Sequence, residues 1–238
     1  MERLQKRIAN SGYTSRRKAE ELIKEGRVKV NNEVVDTLGY KVKVNDKVYI
    51  DDKLLEKEEK VYFLLNKPRG IVSTTIDDKD RKSIVDIIDT DVRIFPVGRL
   101  DYDTTGLIIL TNDGELSNII TDSKNDVEKM YIAKIKGLLE AEKIYKLKKG
   151  IIIDGIKTKR AKVKVKRYDK KNDTSIVEIT ITEGRNHQVK KMFEEVGCPV
   201  LKLKRERIAF LSIDGLNSGD YRKLTPKEVK QLYNLKNN

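Results

Sequence analysis

At 238 residues, with 51 Lys and Arg against 38 Asp and Glu, the chain has a formal net charge of +13, a surplus that fits a polyanionic partner, nucleic acid foremost. Its single cysteine, Cys198, excludes an intramolecular disulfide, and one histidine with one cysteine cannot assemble a zinc site of the usual kind. The N-terminus is charged from Glu2 onward and no apolar run approaches the roughly 20 residues of a bilayer span, so a soluble cytoplasmic protein with no membrane partner is expected.

Residues 1–55 read as a small unit of their own. Leu4 and Ile8 share one face of a short helix that Asn10-Ser11-Gly12 ends. Thr14 or Ser15 can cap a second helix, which turns Ala19, Leu22 and Ile23 inward and stops at Gly26. Val28 and Val30 alternate into Asn31-Asn32, residues that tolerate the left-handed angles of a tight hairpin turn, before Val34 and Val35. The second helix opens with Arg16, Arg17 and Lys18, cations that oppose the helix dipole unless an anion lies nearby. Residues 1–27 hold eight Lys and Arg against four Glu. The pattern resembles the alpha-L RNA-binding module, whose basic helix pair lies against RNA phosphates.

The charged run 56–60, without an apolar anchor, reads as a linker, and 61–238 as a second domain. Val61 to Leu65 is strand-like and is broken by the basic turn Asn66-Lys67-Pro68-Arg69-Gly70. A four-residue apolar run, Leu107 to Leu110, has the character of a strand buried on both faces. Further strands are expected at 130–137, 160–168, 174–182 and 199–203, and helices near 114–121, 140–148 and 186–196. In the last of these, Asn186 can cap a helix whose Val189, Met192, Phe193 and Val196 face the core. Thr225-Pro226-Lys227-Glu228 starts a final helix with a capping box. Strand pairs with few helical crossovers imply an α+β fold, a mixed and mostly antiparallel sheet with flanking helices. Cys198 reads as a small core residue.

The most informative stretch is 98–111, Gly98-Arg99-Leu100-Asp101-Tyr102-Asp103-Thr104-Thr105-Gly106-Leu107-Ile108-Ile109-Leu110-Thr111. Gly98 and Gly106 permit a tight loop that presents Asp101 from the end of a rigid strand. Asp103 is expected to order this loop, with Thr104 and Thr105 as local hydrogen-bond partners. Gly-Arg-Leu-Asp-x-Asp-Thr-x-Gly-Leu resembles the active-site motif of pseudouridine synthases, specifically the RsuA/RluB branch that acts on ribosomal RNA. Leu65-Asn66-Lys67-Pro68-Arg69-Gly70 belongs to the same resemblance, marking the first strand pair of the catalytic domain. The resemblance implies that Asp101 is the catalytic residue and that Tyr131, in Lys129-Met130-Tyr131, is the aromatic of the second motif.

Glu183-Gly184-Arg185-Asn186-His187-Gln188-Val189-Lys190-Lys191-Met192 resembles the third motif, with Lys190 and Lys191 where the family has two arginines. A carboxylate in a water-poor pocket needs a nearby cation to remain charged. Lysine keeps the charge but loses the bidentate fork, so Lys190 and Arg185 are both candidates for that catalytic cation. RNA contacts are expected from Arg16, Arg17, Lys18, Arg27, Lys67, Arg69, Arg99, His187 and Gln188.

The implied reaction is an isomerisation: uracil is detached from C1′, rotated while bound, and rejoined through C5. It needs no group donor, redox cofactor or metal, and no Gly-rich phosphate loop indicates a nucleotide. The target uridine must leave its stack and rest on a flat ring such as Tyr131. The expected substrate is 23S ribosomal RNA, with 16S as the alternative, and the expected enzyme is a monomer. A non-catalytic ribosome-binding or assembly protein would have lost Asp101 or Tyr131. A glycoside hydrolase using Asp101 with Asp103 is disfavoured, because residues two apart on one loop are poorly placed to flank a sugar.

Overall fold

The structure, a computed structural model, describes residues 1–75 and 81–237. It contains two compact units: Met1–Val61 with Thr90–Arg93 and Asn112–Gly114 form the first, and the remaining described residues the second.

In the first unit, β1 (Glu2–Arg3) leads into α1 (Leu4–Asn10) and α2 (Arg16–Lys24). Ser15 caps α2 by accepting from the Lys18 amide at 3.2 Å. There follow β2 (Val28–Val30), β3 (Glu33–Val34), β4 (Lys41–Val42), β5 (Val48–Ile50) and β6 (Lys53–Leu54). β3-β2-β5-β6 form a small antiparallel sheet, and β1 pairs with β4. Asn31 and Asn32 both take positive φ, 49° and 74°, so the hairpin turn is made as their chemistry allows. Leu4, Ile8, Ala19, Leu22, Ile23, Val28 and Val30 bury together, as their spacing predicts. The run 56–60 is tethered within this unit: Asn112 Nδ2 donates to Glu58 Oε2 at 3.0 Å and to the Glu59 carbonyl at 2.8 Å. Lys60 meets Asp113 at 2.9 Å.

The second unit is built on a nine-stranded sheet. Its strands are β7 (Tyr62–Lys67), β8 (Phe95–Pro96), β9 (Thr105–Thr111), β10 (Lys129–Lys136), and then, after the separate hairpin β11 (Ile152–Ile153) and β12 (Ile156–Lys157), β13 (Lys162–Asp169), β14 (Thr174–Ile181), β15 (Val200–Ile208), β16 (Leu211–Ser212) and β17 (Tyr221–Lys223). The order is β13-β14-β10-β15-β9-β7-β17, with β8 on β9 and β16 on β15. Every pair is antiparallel except β15 with β9. Helices α3 (Gly114–Thr121), α4 (Ala141–Lys149), α5 (Gln188–Glu195) and α6 (Pro226–Tyr233) complete it. This is the mixed, mostly antiparallel α+β arrangement that the strand spacing implied.

Residues 107–110 are wholly buried, and Val189, Met192, Phe193 and Cys198 face the core. Gly106 makes the parallel pairing possible. It stands opposite Arg205 with φ +106°, and a Cβ there would overlap the Arg205 carbonyl. Thr225 and Glu228 form the expected capping box of α6.

Two local expectations change. β15 runs to Ile208 rather than ending at 203, because the charged string Lys204-Arg205-Glu206-Arg207 stays in the ladder with Arg205 buried. Asn186 does not cap α5: His187 occupies that position in the left-handed region at φ 54°, with no side-chain cap.

Candidate active site

The second unit contains a cleft of about 120 Å³ whose walls come from the 98–104 loop, β10, the start of α5 and β15. Asp101 stands at its edge, half-buried. Its Oδ2 lies 3.0 Å from Lys190 Nζ and 3.2 Å from His187 Nδ1. Lys190 also donates to Asp103 at 2.6 Å, so one ammonium holds both carboxylates of the loop. Desolvation works against the Lys190 charge, but its bonds to Asp103 and Asp101 outweigh this and raise its pKa. The same Lys190 bond holds the Asp103 carboxyl below the ordinary range. Asp103 therefore orders the loop as expected, but its partner is Lys190 rather than Thr104 or Thr105.

Beneath the loop is a lysine without solvent exposure. Lys67, at the end of β7, donates to the carbonyls of Pro68, Asp101 and Thr104 at 3.1, 3.2 and 3.0 Å. Three acceptors converging on one ammonium fix the backbone of the segment that carries Asp101. Burial pushes the Lys67 pKa down to about 8, against the opposing pull of Asp101 and Asp103.

The cleft wall holds two further buried cations. Tyr131 and Lys129 lie on the inward face of β10, since strand side chains alternate. The β10–β15 register sets Tyr131 opposite Arg205. Arg205 is 3% exposed; its Nε donates to the Leu107 carbonyl at 2.7 Å and its Nη1 to the Tyr131 hydroxyl at 3.3 Å. It thus ties the Tyr131 ring to β9, the strand that follows the Asp101 loop. Lys129 donates to the Val127 carbonyl at 3.1 Å, and burial, with the charges of Arg205 and Lys159, pushes its pKa down to about 8. Arg205 Nη2 and Thr104 Oγ1 are buried at this cleft with no hydrogen-bond partner among the described residues.

The structure brings Asp101, Tyr131 and Lys190 to one cleft, but not every expected residue takes its expected place. Arg185 does not reach Asp101: its guanidinium is held by the carbonyls of Ile156 and Lys157 at 2.9 and 2.6 Å and by Glu183 at 3.3 Å. Lys190 is the cation that pairs with Asp101. Lys67 cannot be an RNA contact, because it is buried under the loop. Gln188 is likewise buried: its Nε2 donates to Glu183 at 2.7 Å and its Oε1 accepts from the Arg185 amide at 3.0 Å. Arg69, Arg99 and His187 are exposed around the second unit's loops, and Arg16, Arg17 and Lys18 are exposed on α2. Arg27 is exposed but clamped by Asp51 and Glu25. Lys129 and Arg205 were not anticipated. Lys129 was legible from its i, i+2 relation to Tyr131; Arg205 was hidden by the charged string around it.

Among the described residues no group of histidine, cysteine and acid could hold a metal ion. Residues 61–195 match the sequence profile of RNA pseudouridylate synthases, and residues 2–48 that of the S4 domain. The chain belongs to the RNA pseudouridylate synthase family. It is 54% identical over 233 residues to the ribosomal large subunit pseudouridine synthase B of Bacillus subtilis, covering 98% of this chain and 96% of that one. It is 41% identical over 236 residues to the dual-specificity RNA pseudouridine synthase RluF of Escherichia coli, covering 98% of this chain and 79% of the relative. A crystal structure of a pseudouridylate synthase superposes over 98% of this chain and all of its own, with a TM-score of 0.70 and 35% identity. As a member of this family the protein is an isomerase that converts uridine in RNA to pseudouridine. No helix among the described residues is long and apolar enough to cross a membrane.

Proposed function

We propose that this pseudouridine synthase modifies a uridine of large-subunit, 23S ribosomal RNA, acting as a monomer in the cytoplasm. The relative named for the ribosomal large subunit matches nearly end to end, which supports 23S over 16S. In this reading 1–55 is the alpha-L RNA-binding domain, 56–60 the connection, and 61–238 the catalytic domain.

One observation carries the proposed chemistry: Asp101 is held between Lys190 and His187 at the edge of a cleft walled by Tyr131. These contacts orient the Asp101 carboxyl group at the cleft, where it is placed to act as nucleophile or base. The N1–C1′ bond of the extruded uridine breaks, the uracil turns, and a C5–C1′ bond forms. The C5 proton then leaves and N1 gains one, so atoms balance with no outside reagent. Tyr131 provides the surface on which the base rests. Arg205 Nη2 and Thr104 Oγ1 are the unpartnered polar groups beside it, suited to the carbonyl oxygens of a turning uracil.

Pseudouridines mapped across 23S and 16S RNA, in cells with and without this protein, test the reading. One 23S site should vanish and return with the wild-type chain but not with Asp101→Asn. An unchanged map would defeat the proposal, and loss in 16S alone would move the target.

A further inference from the structure

The outer half of the large sheet has a second face that the cleft does not use. Along β10, Tyr131, Ala133 and Ile135 are buried while Met130, Ile132 and Lys134 are only half-buried. The register carries this alternation across β13, β14 and β15. On the open face, β13 contributes Lys162, Lys164 and Arg167, all exposed, at the outer side. β15 contributes Lys202, Lys204 and Arg207 at the inner side, in the same three rows. Met130, Glu178, Thr180 and Arg207 border one shallow depression at the end of this surface, confirming that they share a side.

Two lines of cations therefore run along the strands. Three strand spacings separate them by about 14 Å, and alternate residues within each line are about 7 Å apart. The acids nearby are already engaged: Glu128 holds Lys162, Glu178 holds Lys166 at 3.1 Å, and Glu206 lies 3.6 Å from Lys204. Lys134, Lys164, Arg167 and Lys202 have no ion pair among the described residues. Lys134 and Lys202 are direct cross-strand partners, and like charges so placed destabilise a sheet unless an anion covers them.

Between the lines lie Met130, Ile132 and Ile176, with no aromatic ring. Unpaired bases would find no ring to stack on, so phosphates rather than bases suit this face. A-form RNA offers phosphates on both sides of a wide, shallow minor groove. We propose that the open face of β13-β14-β10-β15 is a second RNA-binding surface, one that holds a double-stranded segment through its phosphates without reading sequence. This rests on RNA being the substrate.

The test uses the full chain carrying Lys134→Gln, Lys164→Gln, Arg167→Gln and Lys202→Gln, none of which lines the cleft and all of which lie on the open face of the sheet. Affinity is measured against salt for a 20-base-pair RNA duplex of unrelated sequence (about two helical turns) and for a single-stranded oligouridine. The variant's slope on the duplex should flatten by about three units of log–log salt dependence. The single-turnover rate on saturating 23S RNA should not change, and Lys134→Arg with Lys202→Arg should bind like the wild type. An unchanged duplex slope would overturn the proposal, as would an equal loss on oligouridine. If the wild-type chain modifies no 23S uridine while the duplex slope still responds, the 23S assignment fails and this surface stands.

Discussion

The cations of the two units do different work. On α2, Arg16, Arg17 and Lys18 are exposed, and neither Arg16 nor Arg17 has an ion pair among the described residues. In the catalytic unit Lys67, Lys129 and Arg205 are 0%, 7% and 3% exposed, and each donates to backbone carbonyls. The formal charge is the same, but solvent exposure separates cations open to a phosphate partner from cations that form an internal scaffold. A buried ammonium cannot neutralise a phosphate; it can fix the loops that carry the reacting groups.

Breaking the scaffold's purpose at its centre has the largest expected effect. Asp101→Asn keeps the shape of the side chain but removes the nucleophile or base, so tritium release from 5-labelled uridine RNA should fall by about 1,000-fold. RNA affinity should remain within a few-fold, and near-normal release from the purified variant would sink the assignment. Lys67→Met comes next. It strands three carbonyls under the Asp101 loop, and denaturant unfolding should show a loss of about 2–3 kcal/mol. The salt slope of RNA binding should not move; a flatter slope would mean that Lys67 meets phosphate after all.

Tyr131 tests the cleft wall. Tyr131→Ala removes the stacking surface, a loss of about 1–3 kcal/mol in transition-state binding, whereas Tyr131→Phe should retain most of the single-turnover rate. Equal and complete loss in both would assign the work to the hydroxyl that Arg205 holds. On α2, replacing Arg16, Arg17 and Lys18 together with alanine should flatten the salt slope by roughly two units while the rate at saturating RNA stays the same. An unchanged slope would place this helix against something other than RNA.

The smallest effect is in pH dependence. Lys67 and Lys129 titrate near 8 in the folded chain, below the ordinary lysine value of 10.5. Between those values the unfolded chain binds more protons, so these lysines make stability rise with pH. Unfolding midpoints at pH 7.5 and 9.5 should therefore show the wild type gaining on Lys129→Met as pH increases. A constant difference would show that Lys129 keeps its ordinary pKa.

The sequence made most of this legible where one physical signal dominated. Apolar period gave the α2 and α5 faces, Asn31-Asn32 the hairpin, and Thr225 with Glu228 the capping box. It misled where a polar or charged residue was read by type. Lys67 and Gln188 look like surface groups until their polar atoms are seen to be engaged inside the fold. Arg185 sits in the same motif as Lys190, yet the β11–β12 hairpin takes its guanidinium, an interaction nearly thirty residues away in sequence that no local pattern encodes.

By itself the sequence determined the local features around the expected site, an aspartate between glycines ahead of a buried strand and a tyrosine on an alternating strand; the roles expected of them came from the family resemblance. Such features are properties of residue type and spacing, which local rules carry. The tertiary structure alone decided which cation meets Asp101, that Lys67 lies beneath the loop, and that Arg205 joins Tyr131 to β9. Each depends on which strands become neighbours, and the parallel approach of β15 to β9 at Gly106 is set by the packing of the whole sheet.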